Sequence, residues 1–314
     1  MKKLLLLFLI IPAALLAVGQ AGSMLTFTQT ENDVVVVPYS ATMNTMAGNY
    51  TIEAWINTTY FTGYPRVMDR ENVFAFFLDA TGKLGFRGND FGQMVLSPIN
   101  TITPGWHHVA ARCINNAGVY TVTLFCDGVV AGTGSHASFN LPVDQVTDLT
   151  IGNRADAVLA PFDGSIDEIR LWNVALTDLQ ISSNRGLPLL GTETGLIAYY
   201  KMDEGTGQVV DDATANHLDG QLGSTSGADT DDPAWATSTA PVGFNLWTQN
   251  GPGSMAIASP LTITWAANPV LTQVNILYSA DAGTSWKIIG ARVANNGTLN
   301  TYVPGEVTNF ALFR

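Results

Sequence analysis

Carboxylates are the most numerous ionisable side chains in this 314-residue sequence, with 26 Asp and Glu against 14 Lys and Arg. Retaining glycoside hydrolysis needs two of them about 5–5.5 Å apart, which a strand supplies from positions two or four apart on one face. Glu204 follows Asp203 directly, so on a strand the two would face opposite ways, and Glu53 has Trp55 and Asn57 at the useful positions. These residues disfavour catalysis. His107 and His108 suggest a metal pair, but strand neighbours point to opposite faces and cannot chelate together. With His136 and His217 the only other histidines, a zinc site is not expected.

Two loops carry binding candidates. Tyr60, Phe61 and Tyr64 place three aromatics around a turn, where ring faces could stack on sugar C–H surfaces or simply cap a sheet edge. Arg154 and Asp156 lie in a loop before Phe162, where they could contact a ligand or be solvated. Asp167 differs in kind. In the strand over 166–172 it shares parity with Ile169 and Leu171, while Glu168, Arg170 and Trp172 point the other way. A carboxylate on that apolar face is costly unless a cation or several backbone N–H groups satisfy it.

The elements that must position these residues are strands. Alternating or apolar runs bounded by turn residues recur at 33–38, 50–57, 73–79, 83–87, 106–114, 119–126, 148–151, 166–172 and 196–202, without amphipathic helices between them. This pattern predicts an all-β, antiparallel fold, either a two-sheet sandwich or a barrel. One helical turn is expected at 177–184, with Thr177 as N-cap and Asp178 in the first turn. The hairpin turn at 115–118 sets Cys113 opposite roughly Tyr120, about 20 Å along the strand from Cys126, too far for a disulfide. Both thiols fall on the apolar face and are expected to be buried and inert.

Residues 1–21 read as a secretory signal, with Lys2 and Lys3, an apolar run of about 15 residues, and Gly19, Gln20 and Ala21 at a small-residue cleavage site. That run falls short of the roughly 20 residues a membrane span requires. The net charge of −12 argues against a nucleic-acid surface. Residues 22–222 are expected to form the first domain, 223–243 a linker rich in Ser, Thr, Asp and Pro, and 244–314 a second, smaller β module. Because the sequence stops in what reads as mid-strand, at Phe310 to Arg314, that module is expected to be incomplete.

Several segments together resemble the laminin-G-like (concanavalin A-like lectin/glucanase) jelly-roll family. They are Tyr50-Thr51-Ile52-Glu53-Ala54-Trp55-Ile56, Gly105-Trp106-His107-His108-Val109-Ala110, Cys126-Asp127-Gly128, Leu149-Thr150-Ile151-Gly152, the run from Phe162 to Trp172, and Gly195 to Tyr200 followed by Asp203-Glu204-Gly205. The resemblance implies a jelly roll and, with Asp167 as one ligand alongside backbone carbonyls, a structural Ca²⁺; the alternative for Asp167 is capping of nearby turn amides. Where the family opens on Phe-Asp-Gly, this chain reads Phe27-Thr28-Gln29-Thr30, leaving the other ligands unassigned. The family's glucanase branch carries Glu-x-Asp-x-x-Glu, a pattern that none of the seven glutamates completes.

The expected function is therefore a non-catalytic extracellular binding or adhesion module with a glycan or an extracellular protein as partner. A glycoside hydrolase or an appendage of one, and a purely structural spacer, are the alternatives. The second module resembles immunoglobulin-like or fibronectin type III-like repeats of secreted bacterial proteins. Its stretch from Ser279 to Trp286 fits a single sialidase-type Asp-box, physically a hairpin closed by Asp281, Gly283 and Trp286.

Overall fold

The computed structural model describes residues 22–59, 61–90, 92–154 and 160–242, plus six strands between 246 and 313. In chain order the strands are β1 (Ser23–Phe27), β2 (Val35–Val37), β3 (Tyr50–Asn57), β4 (Arg66–Arg70), β5 (Phe74–Leu78), β6 (Leu84–Arg87), β7 (Met94–Leu96), β8 (Trp106–Asn116), β9 (Val119–Cys126), β10 (Val129–Ser135), β11 (Leu149–Ile151) and β12 (Gly164–Trp172). Helix α1 (Asp178–Asn184) follows, then β13 (Leu196–Tyr200), β14 (Val209–Val210), β15 (Gly220–Leu222) and β16 (Ala234–Thr237). They pair into two eight-stranded antiparallel sheets. The first runs β10-β9-β8-β3-β12-β1-β16, with β13 also on β12, and the second runs β14-β15-β2-β11-β4-β5-β6-β7. The long β12 serves two neighbours on one side, pairing Gly164–Ile166 with β1 and its second half with β13.

Alternation builds the core. Ile52, Ala54 and Ile56 of β3, Val109, Ala111 and Cys113 of β8, and Val122 and Leu124 of β9 face Phe74, Phe76, Phe86, Leu149 and Ile151 of the other sheet, all buried in one apolar cluster. Phe74 and Phe86 stack with ring centroids 6.0 Å apart. Burying each such side chain contributes roughly 1.5–3 kcal/mol, which is what drives the two sheets together. The outer face of the first sheet is covered too. There α1 sets Ile181 among Ala110, Phe125, Trp172, Leu176, Leu189, Leu196 and Tyr199. Thr177 caps α1 as expected: its Oγ1 accepts from the Gln180 N–H, and the Gln180 side chain accepts from the Thr177 N–H.

Three expectations change. The β8–β9 turn is tighter than expected, at Ala117 and Gly118, both with positive φ, so Cys113 lies opposite Val122 and Cys126 opposite Val109. Both cysteines are still free; Cys113 is buried, whereas Cys126 is only half-buried. The second change is in β12. Against β3, Asp167 pairs with Trp55 but Arg170 with Glu53, so Glu168 and Ile169 together oppose Ala54. Glu168 sits at φ +52°, a β-bulge that inverts the alternation. Ile166, Ile169 and Leu171 therefore all reach the inter-sheet core. Asp167 turns outward beside Trp55, contrary to the simple parity.

The third change concerns 223–243. Its residues Ala234–Thr237 form β16, which pairs with β1 and closes the edge of the first sheet, so this stretch belongs to the sandwich rather than to a linker. Its composition hid a strand of only four residues.

Past residue 243 the described strands are β17 (Leu246–Thr248), β18 (Pro260–Trp265), β19 (Gln273–Ser279), β20 (Lys287–Ala294), β21 (Thr298–Tyr302) and β22 (Leu312–Phe313). They form two three-stranded sheets, β17-β18-β21 and β20-β19-β22. Of the Asp-box stretch only Ser279 is described, and the expected signal segment lies outside the described residues. No helix among the described residues is long and apolar enough to cross a membrane.

Candidate functional site: the outer face of the second sheet

A second bulge creates the site. In β4, Arg66 pairs with Phe77 and Met68 with Phe76, so Val67 and Met68 both enter the core while Arg66 and Asp69 face outward. Asp69 lies opposite Ala75, which lies opposite Arg87, setting the three on one face. Arg66 Nε donates to Asp69 Oδ2 at 2.9 Å, Arg87 Nη2 stands 3.9 Å from the same oxygen, and Arg66 Nη1 donates to the Tyr64 carbonyl at 2.6 Å. Burial pushes the Asp69 carboxyl up, against the pull of Arg66, Arg87 and Arg154. The Arg66 guanidinium lies 5.3 Å over the Phe77 ring. Phe77 can lie flat over β6 because Gly85 is there: a Cβ on Gly85 would stand 2.5 Å from the ring. Tyr64 meets Phe77 edge-on at 5.8 Å and remains 55% exposed.

Of the sequence candidates, Tyr64 and Arg154 come together in this cluster. Phe61 instead packs half-buried against the inter-sheet core. Tyr60 and Asp156 lie outside the described residues. Sequence reasoning missed Arg66, Asp69, Phe77 and Arg87. A signal was available, since Arg66, Asp69 and Arg70 crowd three charges into five residues of a chain that is only 13% charged.

The histidines separate as expected. On one face, His107 Nδ1 lies 2.8 Å from Asp127 Oδ2 and 3.7 Å from Cys126 Sγ, a His–Cys–Asp group whose ligand atoms fall within 4.8 Å. Burial and then Asp127 push the Cys126 thiol up to about 12, so it carries its proton. On the other face, His108 Nε2 approaches Glu53 Oε2 at 3.3 Å within a buried network. There Trp172 Nε1 donates to Glu53 Oε1, while Arg170 and the Tyr199 hydroxyl both donate to Glu168 Oε2. Burial opposes ionisation of Glu53, yet His108, Arg170 and Trp172 together hold its carboxyl below the usual range. Burial drives the His108 imidazole down, against the opposing pull of Glu53.

Asp167 has donors for both oxygens: the Glu168 N–H at 2.8 Å and the Ser238 hydroxyl at 2.5 Å. Burial, with Glu168 and Asp203 nearby, raises its carboxyl well above the ordinary range. Among the described residues it joins no group of three His, Cys, Asp or Glu with ligand atoms within 4.8 Å. The carboxylates that do gather, Asp229, Asp231 and Asp232, lie in the loop ahead of β16.

Two packed antiparallel sheets with this strand order define a jelly-roll sandwich. Residues 29–182 match the family model described as the concanavalin A-like lectin/glucanases superfamily, and this part of the chain belongs to that superfamily. Among solved structures, a Bacteroides ovatus protein assigned as carbohydrate binding is similar, with 22% identity and a TM-score of 0.56 over 71% of this chain and 62% of that one. The CBM40 of the Ruminococcus gnavus IT-sialidase, bound to alpha2,3 sialyllactose, matches with a TM-score of 0.42 and 16% identity over 54% of this chain and all of that one. No curated protein matches the chain. At 22% identity the likeness to the B. ovatus protein speaks for the fold alone.

Proposed function

We propose that this sandwich is the non-catalytic carbohydrate-binding module of an exported protein, taking a glycan on the outer face of its second sheet. The observation that carries the reading is Tyr64, an exposed aromatic ring braced edge-on by Phe77 and set beside the Arg66–Asp69–Arg87 cluster. An aromatic face stacks on a pyranose ring, and the buried Arg66–Asp69 pair, through Arg66 Nη1 on the Tyr64 carbonyl, holds that ring's backbone in place. The fold of the B. ovatus protein assigned as carbohydrate binding supports the same reading. Hydrolysis would need two carboxylates across a scissile bond. Here the partners of Asp69 are arginines, and its charge is used inside the cluster. The second module serves as an immunoglobulin-like spacer in this reading.

The test is a glycan array on the purified chain, in parallel with Tyr64→Ala. Because Tyr64 is exposed, its truncation leaves the melting temperature unchanged while glycan affinity falls at least tenfold. Retention of full affinity by Tyr64→Ala refutes this face as the site. Absence of binding to every glycan, or release of shorter sugars from a bound one, refutes the function.

A further inference from the structure

The turn between β9 and β10 is a two-residue hairpin loop, Asp127 and Gly128, both at positive φ, with Cys126 paired to Val129 across it. Two hydrogen bonds pin it onto β8: the Asp127 N–H donates to the His108 carbonyl at 2.7 Å, and the His108 N–H donates to Asp127 Oδ1 at 2.9 Å. With Oδ1 so held, Asp127 Oδ2 faces His107, whose Nδ1 stands 2.8 Å away. Cys126 Sγ lies 3.7 Å from the same nitrogen and 3.8 Å from the same oxygen. The case against zinc in the sequence counted histidines alone. The register of β8 on β9, which sets Cys126 opposite Val109, brings a thiol and a carboxylate to His107 from 19 and 20 positions along the chain.

The spacing of these atoms is that of a metal's ligands. Around a tetrahedral zinc, with Zn–S about 2.3 Å and Zn–N and Zn–O about 2.0–2.2 Å, sulfur stands about 3.6 Å from nitrogen or oxygen, and nitrogen about 3.4 Å from oxygen. Both sulfur distances already agree to within about 0.2 Å, and only the His107–Asp127 hydrogen bond has to open, by about 0.6 Å. The supporting contacts are in place as well. His107 Nε2 lies 3.0 Å from Thr103 Oγ1, a partner that orients the ring and accepts its N–H once Nδ1 is taken by a metal. The sulfur has the Thr101 carbonyl at 3.7 Å in addition to Nδ1 and Oδ2, and a thiol has one weak proton to offer all of them. The side chain of His107 is 16% exposed and that of Asp127 45%, so a cation can enter from solvent and water can complete its shell.

We propose that His107 Nδ1, Cys126 Sγ and Asp127 Oδ2 form a binding site for one divalent cation of the zinc type, with water as the fourth ligand. A set of imidazole, thiolate and carboxylate suits zinc and its neighbours in the transition series, whereas calcium and magnesium take oxygen alone. On binding, the Cys126 S–H bond breaks as the sulfur–metal bond forms, and its proton passes to solvent. The imidazole remains neutral with its proton on Nε2, and nothing is oxidised or reduced. The cation fastens the β9–β10 turn to β8. The site shares no residue with the Tyr64 face, so this inference and the glycan-binding reading can each fail alone.

The test uses the whole chain without an affinity tag, reduced and stripped with a chelator. It is titrated with ZnCl₂ against a chromophoric chelator, and with CoCl₂ while the absorption spectrum is followed. One cation per chain is expected, and the cobalt complex should show the near-ultraviolet charge-transfer band of a thiolate ligand. Cys126→Ala should abolish that band and weaken zinc binding by about tenfold or more. Asp127→Asn, which keeps an acceptor for the His108 N–H and a residue suited to the turn, should weaken zinc binding to a similar degree and keep the band. Cys113→Ala, at the other thiol, should change neither. The inference is overturned if the chain binds no zinc, if the cobalt complex lacks the thiolate band, or if either Cys126→Ala or Asp127→Asn binds zinc undiminished. Loss of the band in Cys113→Ala with its retention in Cys126→Ala overturns it equally, since the metal then sits elsewhere.

Discussion

Replacing Arg170 by Met should be the most damaging single change on the outer face of the first sheet, and its cost can be worked from the contacts. Arg170 is 1% exposed. Its guanidinium donates to Glu168 Oε2 at 2.8 Å, to the Asn184 carbonyl at 3.0 Å and to the Leu187 carbonyl at 2.7 Å, and lies 5.4 Å over the Tyr199 ring. Methionine fills much of the volume but takes the side-chain donor from the Leu187 carbonyl, at about 1–3 kcal/mol where water cannot enter, while the Asn184 carbonyl keeps the Leu187 N–H. It also strips the positive charge from between Glu168 and Glu53. Removing one partner of a buried ion pair costs about 3–5 kcal/mol, and Tyr199, still donating to Glu168, keeps the total near that range. For a domain of this size, that lowers the melting temperature by roughly 6–20 °C. The deficit should depend on pH. Without Arg170 the folded-state Glu168 carboxyl rises further above its unfolded value, so the loss is smallest in acid, where Glu168 is protonated in both states, and grows as pH rises to neutrality. Thermal melts of the variant between pH 4 and 8 measure this, and Glu168→Gln on top of Arg170→Met should recover about half the loss. A deficit below about 1 kcal/mol, or one that is flat with pH, would refute the account of the network as charge compensation.

Asp167 and the thiols give two further predictions. Because the Asp167 carboxyl is raised above its unfolded value, its stabilisation is complete in acid and is lost as pH climbs towards neutrality. Asp167→Asn keeps an acceptor for the Glu168 N–H and removes the buried charge, so in chelator it should melt higher than the unsubstituted chain at pH 7.5 and equally near pH 3; a lower melt at pH 7.5 counts against this. Burial pushes the Cys113 thiol up to about 11, while burial and Asp127 push Cys126 up to about 12. Neither should react with an aromatic disulfide reagent at pH 8 in the folded chain, both should in denaturant, and fast labelling of the native protein would show the burial of these thiols to be wrong.

How far the sequence could be read depended on the range of the information. The core strands around Tyr50–Asn57 and Val119–Cys126 and the α1 cap at Thr177 were legible because period-two alternation and a Thr-x-x-Gln capping box are written within a few residues. So was the separation of His107 from His108, which needs only the alternation of neighbours. The side of the sheet that Asp167 faces was not legible, because one bulge residue, Glu168, resets the alternation and nothing local announces it. The short strand β16 was hidden because its pairing with β1 comes from the far end of the domain.

By itself the sequence determined a greasy two-layer sandwich, free cysteines too distant to bridge, and the helix start that lids one face. Only the tertiary structure decided which charges meet. Arg66 and Asp69 come from β4, Arg87 from β6 and Arg154 from the segment after β11, while Asp33 meets a loop that follows it by most of the domain. The physical reason is that hydrophobic alternation is a property of each strand alone. Register, bulges and sheet order are properties of pairs of strands, and the encounter of distant polar groups follows from those pairs.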